Sequence, residues 1–212
     1  MIRNTTMWTL GLMMVLTATA FADDGSEGRA SGTISLWAGN TPVLNFFQTT
    51  KEVAGARYQV HVPLGRSHRW SVSPALGYAY GRWKDEQTSP PLASQTYQVT
   101  ASLWDATLDF LHSSGPPGEQ RFCLGPGLFY SSMTLKEKST GTADMTFKPH
   151  RTVGAQLTAG GSIPAGSRLE LTGSVTERAG ATWFDDKGLF TEDKYSAITY
   201  STQFGIGLRV RF

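Results

Sequence analysis

The chain has 212 residues, with 19 Lys and Arg against 17 Asp and Glu, 23 glycines and a single cysteine. That near-balance of charge gives no argument for nucleic acid, which is not expected as a partner, and Cys123 alone cannot form an internal disulfide. The histidines His61, His68, His112 and His150 are scattered along the chain, so no metal-ligand spacing appears and neither metal nor cofactor is expected.

At the N-terminus, Arg3 precedes an apolar stretch from Met7 to Phe21. Ala20-Phe21-Ala22 then places small residues at the two positions a signal peptidase reads. The pattern predicts a secretory signal over residues 1–22, because the apolar run falls short of the roughly 20 residues a spanning helix needs. Residues 23–30 read as a flexible leader, and 31–212 as one barrel domain.

From there the chain repeats one motif, apolar residues alternating with polar or small ones. The first strand, Ser31 to Ala38, sets Ile34, Leu36 and Ala38 opposite Thr33, Ser35 and Trp37. Val53 to Leu64 sets Ala54, Ala56, Tyr58, Val60 and Val62 opposite Gly55, Arg57, Gln59 and His61. Trp70 to Trp83 sets Val72, Leu76, Tyr78 and Tyr80 opposite Ser71, Ser73, Ala75, Gly77 and Ala79. Tyr97 to His112 is less regular, with Trp104, Ala106, Leu108 and Phe110 opposite Leu103, Asp105, Thr107 and Asp109. Arg121 to Leu135 sets Phe122, Leu124, Leu128 and Tyr130 opposite Cys123, Gly125 and Gly127. His150 to Ser162 sets Val153, Ala155, Leu157 and Ala159 opposite Thr152, Gly154, Gln156 and Thr158. Arg168 to Thr176 sets Leu169, Leu171 and Val175 opposite Arg168, Glu170, Thr172 and Ser174. The last strand, Ile198 to Phe212, holds period two throughout, and its polar face ends on Arg209 and Arg211.

Short connections at 65–68, 113–120 and 164–167 are rich in Gly, Pro and Ser, as tight turns demand. Long polar ones fall at 39–52, 84–96, 136–149 and 180–194. An alternation of short turns and long loops is the rhythm of a membrane meander, so the expected fold is all-β, an eight-stranded antiparallel up-and-down transmembrane β-barrel. The opposite arrangement, a soluble lipocalin-like barrel with its apolar face inward, has the same period. Lipid outside is favoured because the polar set mixes glycines with charges of both signs: Arg57, Asp105, Asp109, Arg168, Glu170, Arg209 and Arg211, with His61 among them. Such residues suit a crowded interior where opposite charges neutralise one another. Aromatic residues also gather at strand ends, with Trp70, Phe110, Phe122 and Phe212 by the short turns. Tyr80, Trp83, Trp183 and Tyr195 lie by the long loops.

Phe204, Ile206, Leu208, Val210 and the terminal Phe212 resemble the C-terminal signature of bacterial outer-membrane proteins. The strand count resembles the small barrels of OmpA and OmpX type. That resemblance implies an outer-membrane location, contact with outer-membrane lipid and recognition by the barrel assembly machinery; it singles out no family and no loop partner.

Catalytic motifs are weak. His112-Ser113-Ser114 resembles the His-x-Ser of lipid A deacylases of the PagL kind, but Gly115 and Pro116 follow where that family continues with Asn and Ala. The triplet also lies at the short-turn end, away from lipid A in the outer leaflet. Ser67-His68 sits in another short turn. His61 with Asp105 or Asp109 lacks a serine in a strained turn beside it, and interior packing explains all three. No catalytic residue is expected. An eight-stranded barrel is just wide enough for side chains to fill, which points to a non-enzymatic surface or envelope role. A narrow small-molecule conduit and a lipid-modifying enzyme are the alternatives.

Overall fold

The computed structural model describes residues 30–41, 51–65, 69–87, 95–115, 119–139, 145–146, 150–184 and 195–212. The predicted signal, nearly all of the leader, and Ser67-His68 lie outside those residues.

Each alternating segment forms a strand. In chain order they are β1 (Ser31–Thr41), β2 (Lys51–Leu64), β3 (Trp70–Gln87), β4 (Gln95–Ser114), β5 (Arg121–Ser139), the two-residue β6 (Met145–Thr146), β7 (His150–Pro164), β8 (Leu169–Phe184) and β9 (Tyr195–Arg211). Apart from β6, which only pairs with the top of β5, every strand is antiparallel to its neighbour in sequence. The ring closes where β1 meets β9, from Ser31 opposite Arg211 to Gly39 opposite Gln203. The result is a closed antiparallel barrel of eight staves, so no stave has an unpaired edge.

Several strands run past their predicted ends on the long-loop side, β5 to Ser139 and β8 to Phe184. The apolar–polar alternation fades there, because inward positions such as Met133 and Leu135 are apolar, while buried and exposed positions still alternate to Leu135 and Thr182. The backbone ladder nevertheless continues, because it needs no apolar face. On the other side, Gly65 and Gly115 adopt φ of +69° and +84°. A Cβ is unfavourable in that left-handed region, which explains glycine at both tight turns.

Parity decides which way each side chain points. Ile34, Leu36, Leu108, Leu124, Leu157, Leu171, Ile206 and Leu208 stand exposed on the outer wall, while Thr33, Asp105, Asp109, Gln156, Glu170 and Gln203 are buried within. The outer wall is therefore an apolar belt with an aromatic rim at each end. Trp70, Phe110, Phe122 and Phe212 form the rim at the turn end; Tyr80, Trp104, Tyr130, Trp183 and Tyr200 rise toward the loop end. Trp83 departs from the expectation. Its odd number puts it on the inner face of β3, packed against an apolar cluster inside the barrel. Glu177 is the reverse case, an acid on the outer wall whose two carboxylate oxygens accept from the Thr202 hydroxyl at 3.0 and 2.9 Å.

Candidate functional site in the barrel lumen

The inward faces of the eight staves build three tiers. Nearest the turns, β8 supplies Glu170, whose side chain is fully buried. Arg121 of β5 donates to both of its oxygens at 2.9 and 2.8 Å. Arg209 of β9 reaches it at 3.3 Å, and Arg211 at 3.5 Å. Arg209 also donates to Thr33 Oγ1 at 3.2 Å and approaches His61 Nε2 at 3.3 Å. A guanidinium can only donate, so His61 Nε2 accepts and Nδ1 carries the proton, which it donates to Ser73 Oγ at 2.8 Å. His61 is thus tied to Ser73, Thr33 and Arg209, not to Asp105 or Asp109.

The middle tier crosses the barrel. Asp105 Oδ2 on β4 accepts from Arg57 of β2 at 2.8 Å and from Arg178 of β8 at 2.7 Å. Arg57 also donates to Gln203 Oε1 at 2.7 Å. Both guanidinium groups lie over aromatic rings, Arg57 over Trp37 at 5.4 Å and Arg178 over Phe129 at 4.8 Å. Asp109, one tier-step below, has no arginine within ion-pair distance among the described residues. Its oxygens accept instead from the side-chain amides of Gln156 and Gln59.

Glycine opposite each aspartate makes room for this. Gly77 pairs with Asp105 and Gly127 with Asp109. A Cβ at either glycine would overlap the Oδ1 atom of its aspartate.

The third tier, toward the loops, is apolar along one wall: Trp37, Val53, Ala79, Ala101, Leu103, Met133 and Leu135, with Trp83 and Val99 packed against them. The facing wall is a hydroxyl ladder, Thr152 to Thr182 at 2.8 Å and Thr182 to Thr199 at 3.1 Å.

Set against the residues singled out in the sequence, Arg57, His61, Asp105, Asp109, Glu170, Arg209 and Arg211 all project into this lumen. Arg168 does not. The strand begins one residue later, and Arg168 is exposed in the preceding turn, where its carbonyl accepts from Arg211 N at 3.0 Å. Sequence reasoning misses Arg121 and Arg178, and Arg178 is the more central of the two. Its signal is parity: it lies eight residues from Glu170, on the same face of β8, beyond the point where the apolar alternation fades. The apolar tier is legible in the same way, since Trp37, Leu103, Phe129, Met133 and Leu135 all fall in the register of the polar face.

His112 is exposed on the outer wall, edge-on to Trp70 at 4.9 Å, and the Ser114 hydroxyl bonds to the backbone of Phe122. These are turn-end packing contacts. Among the described residues, no three His, Cys, Asp or Glu side chains are grouped so as to hold a metal.

No protein-family model matches the chain, and no curated protein does. Solved structures do. A major outer membrane protein of Thermus thermophilus superposes with a TM-score of 0.54 at 13% identity, covering 85% of this chain and 99% of that one. Ail, the attachment invasion locus protein of Yersinia pestis, gives 0.51 at 12% identity, covering 88% and 99%. At such identities the likeness is one of fold. Joined to the apolar outer wall and polar lumen, it defines the class of fold: a closed eight-stranded antiparallel β-barrel with its apolar face outward, the fold these outer-membrane proteins share.

Proposed function

We propose that this protein is a closed, non-enzymatic surface barrel, exported through a cleaved signal over residues 1–22 and inserted by the barrel assembly machinery. In this reading the membrane-embedded body holds four polar loop regions at the cell surface, with the turn end facing the periplasm. One observation carries it: the Arg57–Asp105–Arg178 bridge joins β2, β4 and β8 across the lumen, with Asp105 and Arg178 side chains only 1% and 3% exposed. A pore of useful width would leave such groups wet. Among the described residues, the hydroxyls joined to His61, those of Ser73 at 2.8 Å and Thr33 at 3.0 Å, are buried in the lumen, where these bonds serve packing in this reading.

The test is conductance of the purified barrel in a planar bilayer. The expected result is no discrete current steps at neutral pH in molar KCl. Steps from the wild-type protein would overturn the closed reading and promote a narrow conduit.

A further inference from the structure

Three arginines surround one buried carboxylate at the turn end of the lumen. Glu170 can balance only one of Arg121, Arg209 and Arg211, so the tier carries an excess of two positive charges. His61 offsets none of this charge, because a ring whose Nε2 accepts from Arg209 is neutral. The carboxylate itself is sealed, but the arginines are not: their side chains are 14%, 13% and 25% exposed. The Nε–H groups of Arg121 and Arg211 lack hydrogen-bond partners but are buried, and Arg211 Nη2 donates to the Ser167 carbonyl at 2.6 Å. Outside this ring stand Arg69 and Arg168, both exposed, against Glu119 on the rim.

A barrel that needed only closure would match its charges in number, as Arg57 and Arg178 are matched by Asp105 and, one step below it, Asp109. The turn end does not. We propose that this mouth is an anion-binding vestibule that takes phosphate or carboxylate groups presented from the turn side. Arg209 is committed to Thr33, Glu170 and His61 and contributes charge, while the Nη1 groups of Arg211 and Arg121 would donate to the oxyanion. Arg121 stays on Glu170 and holds the carboxylate back from the incoming anion. This is a binding role added to the closed barrel, and it holds whether or not the barrel conducts.

The protein carries its own reporter. Cys123 lies two residues from Arg121 on the same inner face, partly exposed, and pairs across the ladder with Gly160. In folded protein in neutral micelles, Cys123 is treated with a methanethiosulfonate bearing a sulfonate, or with one of similar size bearing trimethylammonium. Each rate is normalised to the same reagent's rate with a free thiol. Two uncompensated charges within about a Debye length in a watery mouth predict a sulfonate preference on the order of tenfold at low salt, collapsing toward one at high salt.

Millimolar pyrophosphate or citrate should slow the sulfonate reagent, and the more effective of the two tells phosphate from carboxylate. The variant R209Q/R211Q, checked for folding by heat-modifiable gel mobility, should lose the preference. Should that variant not fold, R69Q/R168Q changes only exposed rim residues and should lower the preference about twofold. Equal normalised rates, a preference for the cation, a thiol inert to both reagents, or no protection by either anion would overturn the vestibule.

Discussion

Neutralising Asp105 separates an ion pair that matters from one that only decorates a wall. Asp105 Oδ2 holds Arg57 at 2.8 Å and Arg178 at 2.7 Å. Arg178 has no other carboxylate within ion-pair distance among the described residues, and its Nε and Nη2 make no hydrogen bond. In Asp105→Asn, a guanidinium with a 3% exposed side chain keeps its charge and loses its counterion. Breaking a buried pair from one side costs about 3–5 kcal/mol. The lower end applies here, since Arg57 retains Gln203 and some access to solvent. Arg178→Met is milder, because Asp105 keeps Arg57 and the methionine can still pack on Phe129; about 1–2 kcal/mol follows. The order of the two variants is therefore the informative quantity. It is measured by urea unfolding in lipid vesicles, followed by tryptophan fluorescence and checked for reversibility. Equal costs, or Asp105→Asn within about 1 kcal/mol of wild type, would refute the claim that this bridge closes the lumen.

The outer wall makes a separate prediction: Leu208→Arg and Leu157→Arg, both at exposed outward positions, should each cost roughly 2–4 kcal/mol in the same assay. Gly77→Ala and Gly127→Ala should cost about 1–3 kcal/mol each, because a methyl group would displace the facing aspartate. Deleting Phe212 removes one backbone bond, from its N to Ala30 O at 3.3 Å, and one rim side chain. Refolding into detergent should survive that deletion, whereas the fraction inserted in cells, read by heat-modifiable mobility in membrane fractions, should fall sharply. Mass spectrometry of the protein recovered from outer membranes should show Asp23 as the first residue, matching the signal pattern around Ala20 and Ala22.

How much of this is legible in the sequence follows from the range of each interaction. Alternation is local: a strand turns its side chain over at every residue, so the sequence determined by itself the eight staves, the apolar outer wall and the parity of the inward positions, with Arg168, exposed in a turn, the exception. Even Trp83 and Arg178, one misplaced and the other missed, obey the parity of their strands. They are lost only because the apolar alternation fades before the ladder does. Tertiary structure alone decided the partners. That Glu170 meets Arg121 and not Arg168, that Asp109 meets two glutamines and not an arginine, and that charge balances in the middle but not at the turn end depend on the heights at which eight tilted strands align when the ring closes. That stagger accumulates over every hairpin register around the barrel. Contacts across the lumen join residues as far apart in the chain as Arg57 and Gln203, beyond the reach of any local pattern.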